Sequence, residues 1–117
     1  MKHIYGITLL LFLVSTSSVA MTIPADSVDL MKAQADSAYA NEDFEGAERI
    51  YLQLAEQGES AVVCYNLGCT YYRQDNIAKA VLWFERASQL DPSDDDIRFN
   101  LAMARGKTID RIIPRHE

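Results

Sequence analysis

The chain has 117 residues, with 17 Asp and Glu against 11 Lys and Arg, and a formal net charge of −6. This acidic balance argues against nucleic acid and anionic lipid as partners, because both require a cationic surface. The length allows one small domain and is too short for two.

The first twenty residues have the pattern of a secretory signal peptide. Lys2 precedes an uncharged run over residues 4–14, and Ser18-Val19-Ala20 has the small-x-small form of a cleavage site. The run is shorter than the roughly 20 residues that a membrane-spanning helix needs. The sequence therefore predicts cleavage after Ala20, secretion across the inner membrane into the periplasm, and a linker over 21–26. A retained membrane anchor is the alternative.

From residue 27 onward, apolar residues recur at helical spacing and short polar clusters interrupt them at regular intervals. Ser27, Ser60 and Ser93 are candidate N-caps, because a side-chain oxygen there can accept a backbone N–H of the first turn. No stretch alternates as a strand does, so the predicted fold class is all-α. Five helices are expected, at roughly 27–40, 43–57, 61–73, 77–89 and 94–105, with an extension of the last to 112 left open.

The helical segments repeat with a period of 33 to 34 residues. An offset of 33 aligns Ala35 with Gly68, and Tyr51 with Phe84. Small residues at such positions allow helices to cross closely, while large apolar residues fill the volume around the crossings. The chain is therefore interpreted as an array of helical hairpins, in which the third copy consists of one helix.

Residues 61–94 resemble the tetratricopeptide repeat. The family pattern of Trp-x2-Leu-Gly-x2-Tyr, Ala-x3-Phe and Pro is matched except at its first position, where Cys64 replaces the tryptophan. Residues 28–60 match less closely, and residues 95–113 resemble part of a third repeat. The resemblance implies an all-α superhelix of helical hairpins over residues 27–113, with two repeats, a C-terminal closing helix and a tail at 114–117.

The same resemblance implies a concave groove that binds a peptide or a partner protein. Aromatic side chains in the middle of the groove are typical anchors for such a ligand. The alternative is that Tyr65 and Tyr72 only pack against neighbouring helices. A carboxylate clamp, which some family members form, is matched by Lys32 and Asn66 but not by Asp36 and Asn100. The positions expected to face the groove are Asp29, Lys32, Asp36, Tyr39, Val62, Tyr65, Cys69, Tyr72, Arg73, Asp96, Phe99 and Met103.

Cys64 and Cys69 are the candidate reactive groups. On one helix their Cα atoms would be about 8.6 Å apart, beyond the roughly 7 Å limit for a disulfide. Cys64 is expected to pack in the hairpin interior, whereas Cys69 faces the groove and is the candidate for a thiol-based redox enzyme or sensor. No other group suggests catalysis or a cofactor, so the main prediction is a non-enzymatic scaffold. Acidic residues 94–96 are interpreted as a favourable helix N-terminus rather than a metal site.

Residues 100–114 are similar to the stretch that closes the repeat domain in BatE-type proteins, the secreted tetratricopeptide proteins of Bacteroides aerotolerance operons. This resemblance implies a cell-envelope complex with von Willebrand factor A-type membrane proteins. Family members usually continue into membrane-spanning segments, so a truncated remnant of a larger membrane-attached protein is an alternative. Leu101, Ile109 and Ile112 are expected to be partly uncovered, which predicts either a homo-oligomer formed through the C-terminal helix or the docking of a partner there.

Overall fold

The computed structural model describes residues 23–112, and the predicted signal peptide, its cleavage site and the C-terminal tail lie outside this range. The described residues form helices and no strand, which confirms the predicted all-α class. No helix among them is both long and apolar enough to cross a membrane. The helices are α1 (Ala25–Ala40), α2 (Phe44–Gln57), α3 (Ala61–Arg73), α4 (Ile77–Leu90) and α5 (Asp95–Ile112).

Each helix packs against the next one along the chain, so α1–α2 and α3–α4 are hairpins and α5 covers α4. Small buried residues lie at the crossings, as the repeat pattern predicts. Ala35 and Ala80 are wholly buried, and a Cβ on Gly68 would come within 2.4 Å of the Phe84 ring. The close approach of α3 and α4 therefore depends on the absence of a side chain at this glycine.

The first helices of successive hairpins run in the same direction. Asn100 Nδ2 on α5 donates a hydrogen bond of 2.7 Å to Tyr65 Oη on α3. Two turns further on, Lys107 Nζ lies 4.6 Å from the centre of the Tyr72 ring. Both contacts join residues 35 apart, so α3 and α5 are parallel and in register, and together with α1 they form one wall of the array.

The turns inside the two hairpins have the same backbone conformation. Glu42 and Asp75, at equivalent repeat positions, both have a φ of 63°, in the left-handed region. Each carboxylate pairs with an arginine of the following first helix. Glu42 lies 3.4 Å from Arg73, and Asp75 lies 2.5 Å from Arg111. The turn of each hairpin is thereby linked to the next helix of the wall.

The cap of α5 differs from the prediction. Ser60 does cap α3, with its hydroxyl accepting the N–H three residues on. For α5 the cap is Asp94, whose Oδ1 accepts the Ile97 N–H at 3.0 Å. Ser93, the predicted cap, instead donates its hydroxyl to Asp91. The helix therefore starts one residue later than a Ser93 cap would allow.

The start of α1 is a second correction. Pro24 stands before the helix with a φ of −57°, and its carbonyl accepts the N–H groups of the residues three and four positions on. Proline has the φ that a helix needs and lacks the N–H that would be unpaired there. The helix therefore begins at Ala25, and Ser27 lies inside its first turn instead of capping it.

The exposure of α5 matches the prediction in part. Ile109 and Ile112 are 57% and 73% exposed. Leu101 was also expected to be partly uncovered, and this is wrong, because it belongs to the core where α5 packs on α4. The last turns of α5 therefore present two isoleucine side chains to solvent.

Candidate functional site

A groove of about 560 Å³ lies between α1 and α3. Most of its lining comes from first-helix positions that the repeat pattern selected, while the side chain of Tyr51 enters from α2. The predicted groove residues that the structure brings together here are Lys32, Asp36, Tyr39, Val62, Tyr65 and Cys69, joined by Tyr51 and Asn66.

The other predicted groove residues lie on the same wall but outside this groove. The Arg73 guanidinium stacks 4.8 Å from the centre of the Phe44 ring, at the C-terminal end of α3. Tyr72 is half-buried against α5. Phe99 is 70% exposed on α5, and Met103 is also exposed there. Tyr72 therefore serves packing at least in part, whereas Phe99 has no large contact area within the chain.

Asp36 is held from two sides. The Tyr51 hydroxyl donates a hydrogen bond to its Oδ1, and Lys32 Nζ lies 3.1 Å from its Oδ2. Tyr51 is only 2% exposed. Burial, and next the neighbouring Asp36 carboxylate, raise the pKa of Tyr51, so the phenol stays neutral and remains a donor. The carboxylate therefore has a fixed position in the groove wall.

The second hairpin lacks this arrangement. Phe84 stands at the position equivalent to Tyr51, and Cys69 at the position equivalent to Asp36. The Tyr65 and Phe84 ring centres are 5.9 Å apart, and the Tyr65 hydroxyl is bonded by Asn100 of α5. The α1 side of the groove is therefore polar and ionic, and the α3 side is aromatic.

Both cysteines lie on α3, as the argument from their spacing assumed, and both are free thiols. Cys64 is buried in the hairpin, as expected, and Cys69 is half-buried in the groove. Burial raises the pKa of the Cys69 thiol, although the Tyr65 hydroxyl beside it acts in the opposite direction. A raised pKa reduces the thiolate fraction, and the thiolate is the reactive form. The environment of Cys69 therefore disfavours a nucleophilic or redox role.

Two contacts in the structure disfavour a carboxylate clamp. The Lys32 ammonium is paired with Asp36, and the Asn100 amide is committed to Tyr65. A terminal carboxylate entering the groove would meet the Asp36 carboxylate. Of the two residues that match the clamp pattern, Lys32 is thus already paired, whereas the Asn66 side chain lines the groove.

The comparison with protein families identifies the second hairpin. Residues 61–94 match the family model of the tetratricopeptide repeat. This segment is therefore similar to a tetratricopeptide repeat. It comprises α3, α4 and the turn that follows, and α1–α2 has the same hairpin architecture. A tetratricopeptide repeat indicates a protein–protein interaction scaffold.

A curated relative is similar over a longer stretch. The chain is 32% identical over 75 residues to intraflagellar transport protein 70A of Xenopus laevis. The match covers 63% of the chain but 11% of the relative. The chain thus spans a small part of the relative's length.

Proposed function

We propose that the chain is a non-enzymatic scaffold that holds an extended peptide or a segment of a partner protein in the groove between α1 and α3. The observation that carries this proposal is the incompletely covered apolar lining of the groove. Val62 is 53% exposed, and Tyr39 and Tyr65 are half-buried. Rigid aromatic rings bind partner side chains at a low cost in conformational entropy.

The environment of Cys69 favours this proposal over the thiol-based alternative. A redox thiol needs a neighbouring cation or a helix N-terminus to lower its pKa. Cys69 lies in the second half of α3, and its pKa is raised by burial. The thiol contributes apolar surface to the groove in the proposed scaffold.

The setting of the scaffold rests on the sequence alone. The predicted signal peptide supports a periplasmic location, and the resemblance of residues 100–114 to BatE-type proteins supports an envelope complex with von Willebrand factor A-type membrane proteins. Self-association through α5 also stays a prediction, and Ile109 and Ile112 are the exposed residues that support it.

Site-specific photo-crosslinking in the native cell tests the groove. A photoreactive amino acid would replace Val62 in the groove or, as a matched control, Leu82 on α4, which is 44% exposed. We expect a discrete adduct from position 62 that is absent from position 82. The same adducts from both positions, or none from position 62, would contradict the proposal.

A further inference from the structure

We propose that the occupant of the groove is a basic peptide segment, whose Lys or Arg side chains lie against Asp36 in the groove and against Asp96 in the cleft that adjoins it. This inference rests on the proposed function, because it names the chemistry of the ligand that the groove takes. Three observations support it: the fixed Asp36 carboxylate, the charge distribution along the wall, and an apolar cleft that adjoins the groove.

The first observation is the Asp36 carboxylate itself. Its side chain is 45% exposed although Tyr51 and Lys32 each contact one of its oxygens. A carboxylate oxygen can accept more than one hydrogen bond, so Asp36 retains capacity for a donor from the ligand. Because the buried Tyr51 side chain already holds the Asp36 carboxylate in place, binding a ligand costs little conformational entropy at this acceptor.

The second observation is the charge along the wall. The N-terminal ends of α1 and α5 carry Asp29 and Asp96, and among the described residues neither is paired with a cation. The cations at this end of the wall, Lys32 on α1 and Arg98 on α5, are paired with Asp36 and Asp95. Arg73 lies instead at the C-terminal end of α3. The potential along the groove therefore attracts a cationic segment to its N-terminal half.

The third observation is a smaller cleft of about 90 Å³ that shares Val62 and Tyr65 with the groove. An aliphatic and aromatic surface next to carboxylates suits Lys and Arg, whose methylene stems pack on apolar surface while the charged head stays outside. Asp94 accepts a hydrogen bond from the backbone of α5, so Asp96 is the freer carboxylate at this end. The remaining lining residues are Ala61, Asp91, Asp94, Asp96 and Ile97.

The net charge of the chain argues against a second copy of the chain as the occupant of the groove. The chain carries −6, so a second copy would bring mainly like charge to an acidic groove. A basic segment of a different protein is the occupant with complementary charge.

Selection from a random-peptide phage library tests the inference on the full chain. We expect the selected peptides to be enriched in Lys and Arg over the unselected library. Synthetic versions should lose about tenfold in affinity with Asp36→Asn, and several-fold with Asp96→Asn, because each variant removes one complementary charge. Glu56→Gln, at an exposed acid outside the groove, should leave the affinity unchanged, and circular dichroism would show that each variant is folded.

The outcomes separate this inference from the proposed function. One outcome would overturn the basic-ligand inference and leave the groove proposal standing. In that outcome the selected peptides are not enriched in Lys and Arg and lose binding with Tyr65→Ala, but they bind Asp36→Asn and Asp96→Asn as well as the wild type. If no peptide is selected, or if Tyr65→Ala has no effect on those that are, both proposals fail. Basic peptides that lose affinity with both Asn variants but not with Glu56→Gln support both.

Discussion

At Gly68, α3 and α4 pack so closely that an added methyl group is expected to destabilise the fold. A Cβ at this position would lie 2.4 Å from the Phe84 ring, which is itself 1% exposed and cannot move aside freely. We expect Gly68→Ala to lower the free energy of unfolding by about 1–3 kcal/mol, the usual cost of overpacking a core. Urea denaturation followed by circular dichroism measures the change.

Gly106 provides the matched control for that substitution. It also lies inside a helix, but a Cβ there has nothing within 4 Å. Gly106→Ala should raise the free energy of unfolding by about 0.5–1 kcal/mol, because alanine loses less backbone entropy in a helix. Similar effects at the two glycines would show that the α3–α4 crossing is not tight.

The raised pKa of Tyr71 predicts how the free energy of unfolding changes at alkaline pH. Burial, and next the Glu48 carboxylate, raise the pKa of Tyr71 from 10.0 to about 12. The folded state therefore favours the neutral phenol, and this contribution is fully present below pH 10 and is lost as the pH rises from about 10 through 12. The Tyr71→Phe variant has no phenol proton at this position, so its free energy of unfolding should decrease less over that interval.

Urea denaturation at a series of pH values measures the Tyr71 effect. The comparison is between the slopes of the free energy of unfolding against pH. Absolute values are not compared, because Tyr71→Phe also removes the hydroxyl from Glu48 and can change the stability at neutral pH. Equal slopes for the wild type and the variant between pH 10 and 12 would contradict the raised pKa.

The groove side chains show which residues the sequence could predict. The family resemblance identified Lys32, Asp36 and Tyr65, because the repeat pattern assigns these first-helix positions to the concave face. Tyr51 was missed, since it belongs to a second helix and aligns with the core residue Phe84. Its hydroxyl was the available signal, because a buried tyrosine needs a hydrogen-bond partner, and only tertiary packing shows that the partner is Asp36.

At the scale of the helices, the start of α5 provides a direct test of capping. Asp94 Oδ1 accepts the Ile97 N–H, whereas the Ser93 hydroxyl bonds to a side chain outside the helix. Asp94→Ala should lower the free energy of unfolding by about 1 kcal/mol. Ser93→Ala should change it by much less. Thermal and urea denaturation of both variants measure the difference, and a larger loss for Ser93→Ala would assign the cap to the serine.

Apart from the C-terminal end of α5, the helices could be predicted to within one or two residues at each end. That end was expected at residue 105, with an extension to 112 left open, and the helix runs to Ile112. Apolar periodicity and polar breaks are enough for this, because they report the buried face of each helix. The caps of α1 and α5 could not be predicted so closely. Periodicity places a helix start only to within a turn, and neighbours such as Ser93 and Asp94 are both good caps. The choice depends on the backbone path after Pro92, which the surrounding packing sets.

At the scale of the whole molecule, the order of the helices predicts a gradient of protection. α2, α3 and α4 each pack against a helix on both sides, and α3–α4 is the most extensive pairing, whereas α1 and α5 are each covered from one side. In a linear array each unit is stabilised by its immediate neighbours. We expect the slowest amide exchange in α3 and α4, and the fastest in α1 and the last turns of α5.

Native-state hydrogen exchange with mass spectrometry measures this gradient. The experiment at two protein concentrations separates protection within one chain from protection by self-association. Uniform exchange in all five helices would show that the described residues unfold as one cooperative unit.

The arrangement of the hairpins followed from the repeat, but the burial of Leu101 did not. The repeat pattern leaves α5 without the second helix of its own hairpin, and its apolar residues were therefore expected to be uncovered. In the structure, α4 provides a packing surface that buries Leu101 and Ala104, whereas Phe99, Met103 and the two isoleucines near the end of α5 are exposed.

The links between Glu42 and Arg73 and between Asp75 and Arg111 lie along one edge of the array, and both are exposed. Exposed ion pairs are weak and are screened by salt, whereas the buried contacts between helices are not. The spacing of successive repeats along that edge is therefore the part of the shape most sensitive to ionic strength. Added salt would loosen this edge while the helix crossings keep their geometry, and the curvature of the wall would relax around an unchanged core.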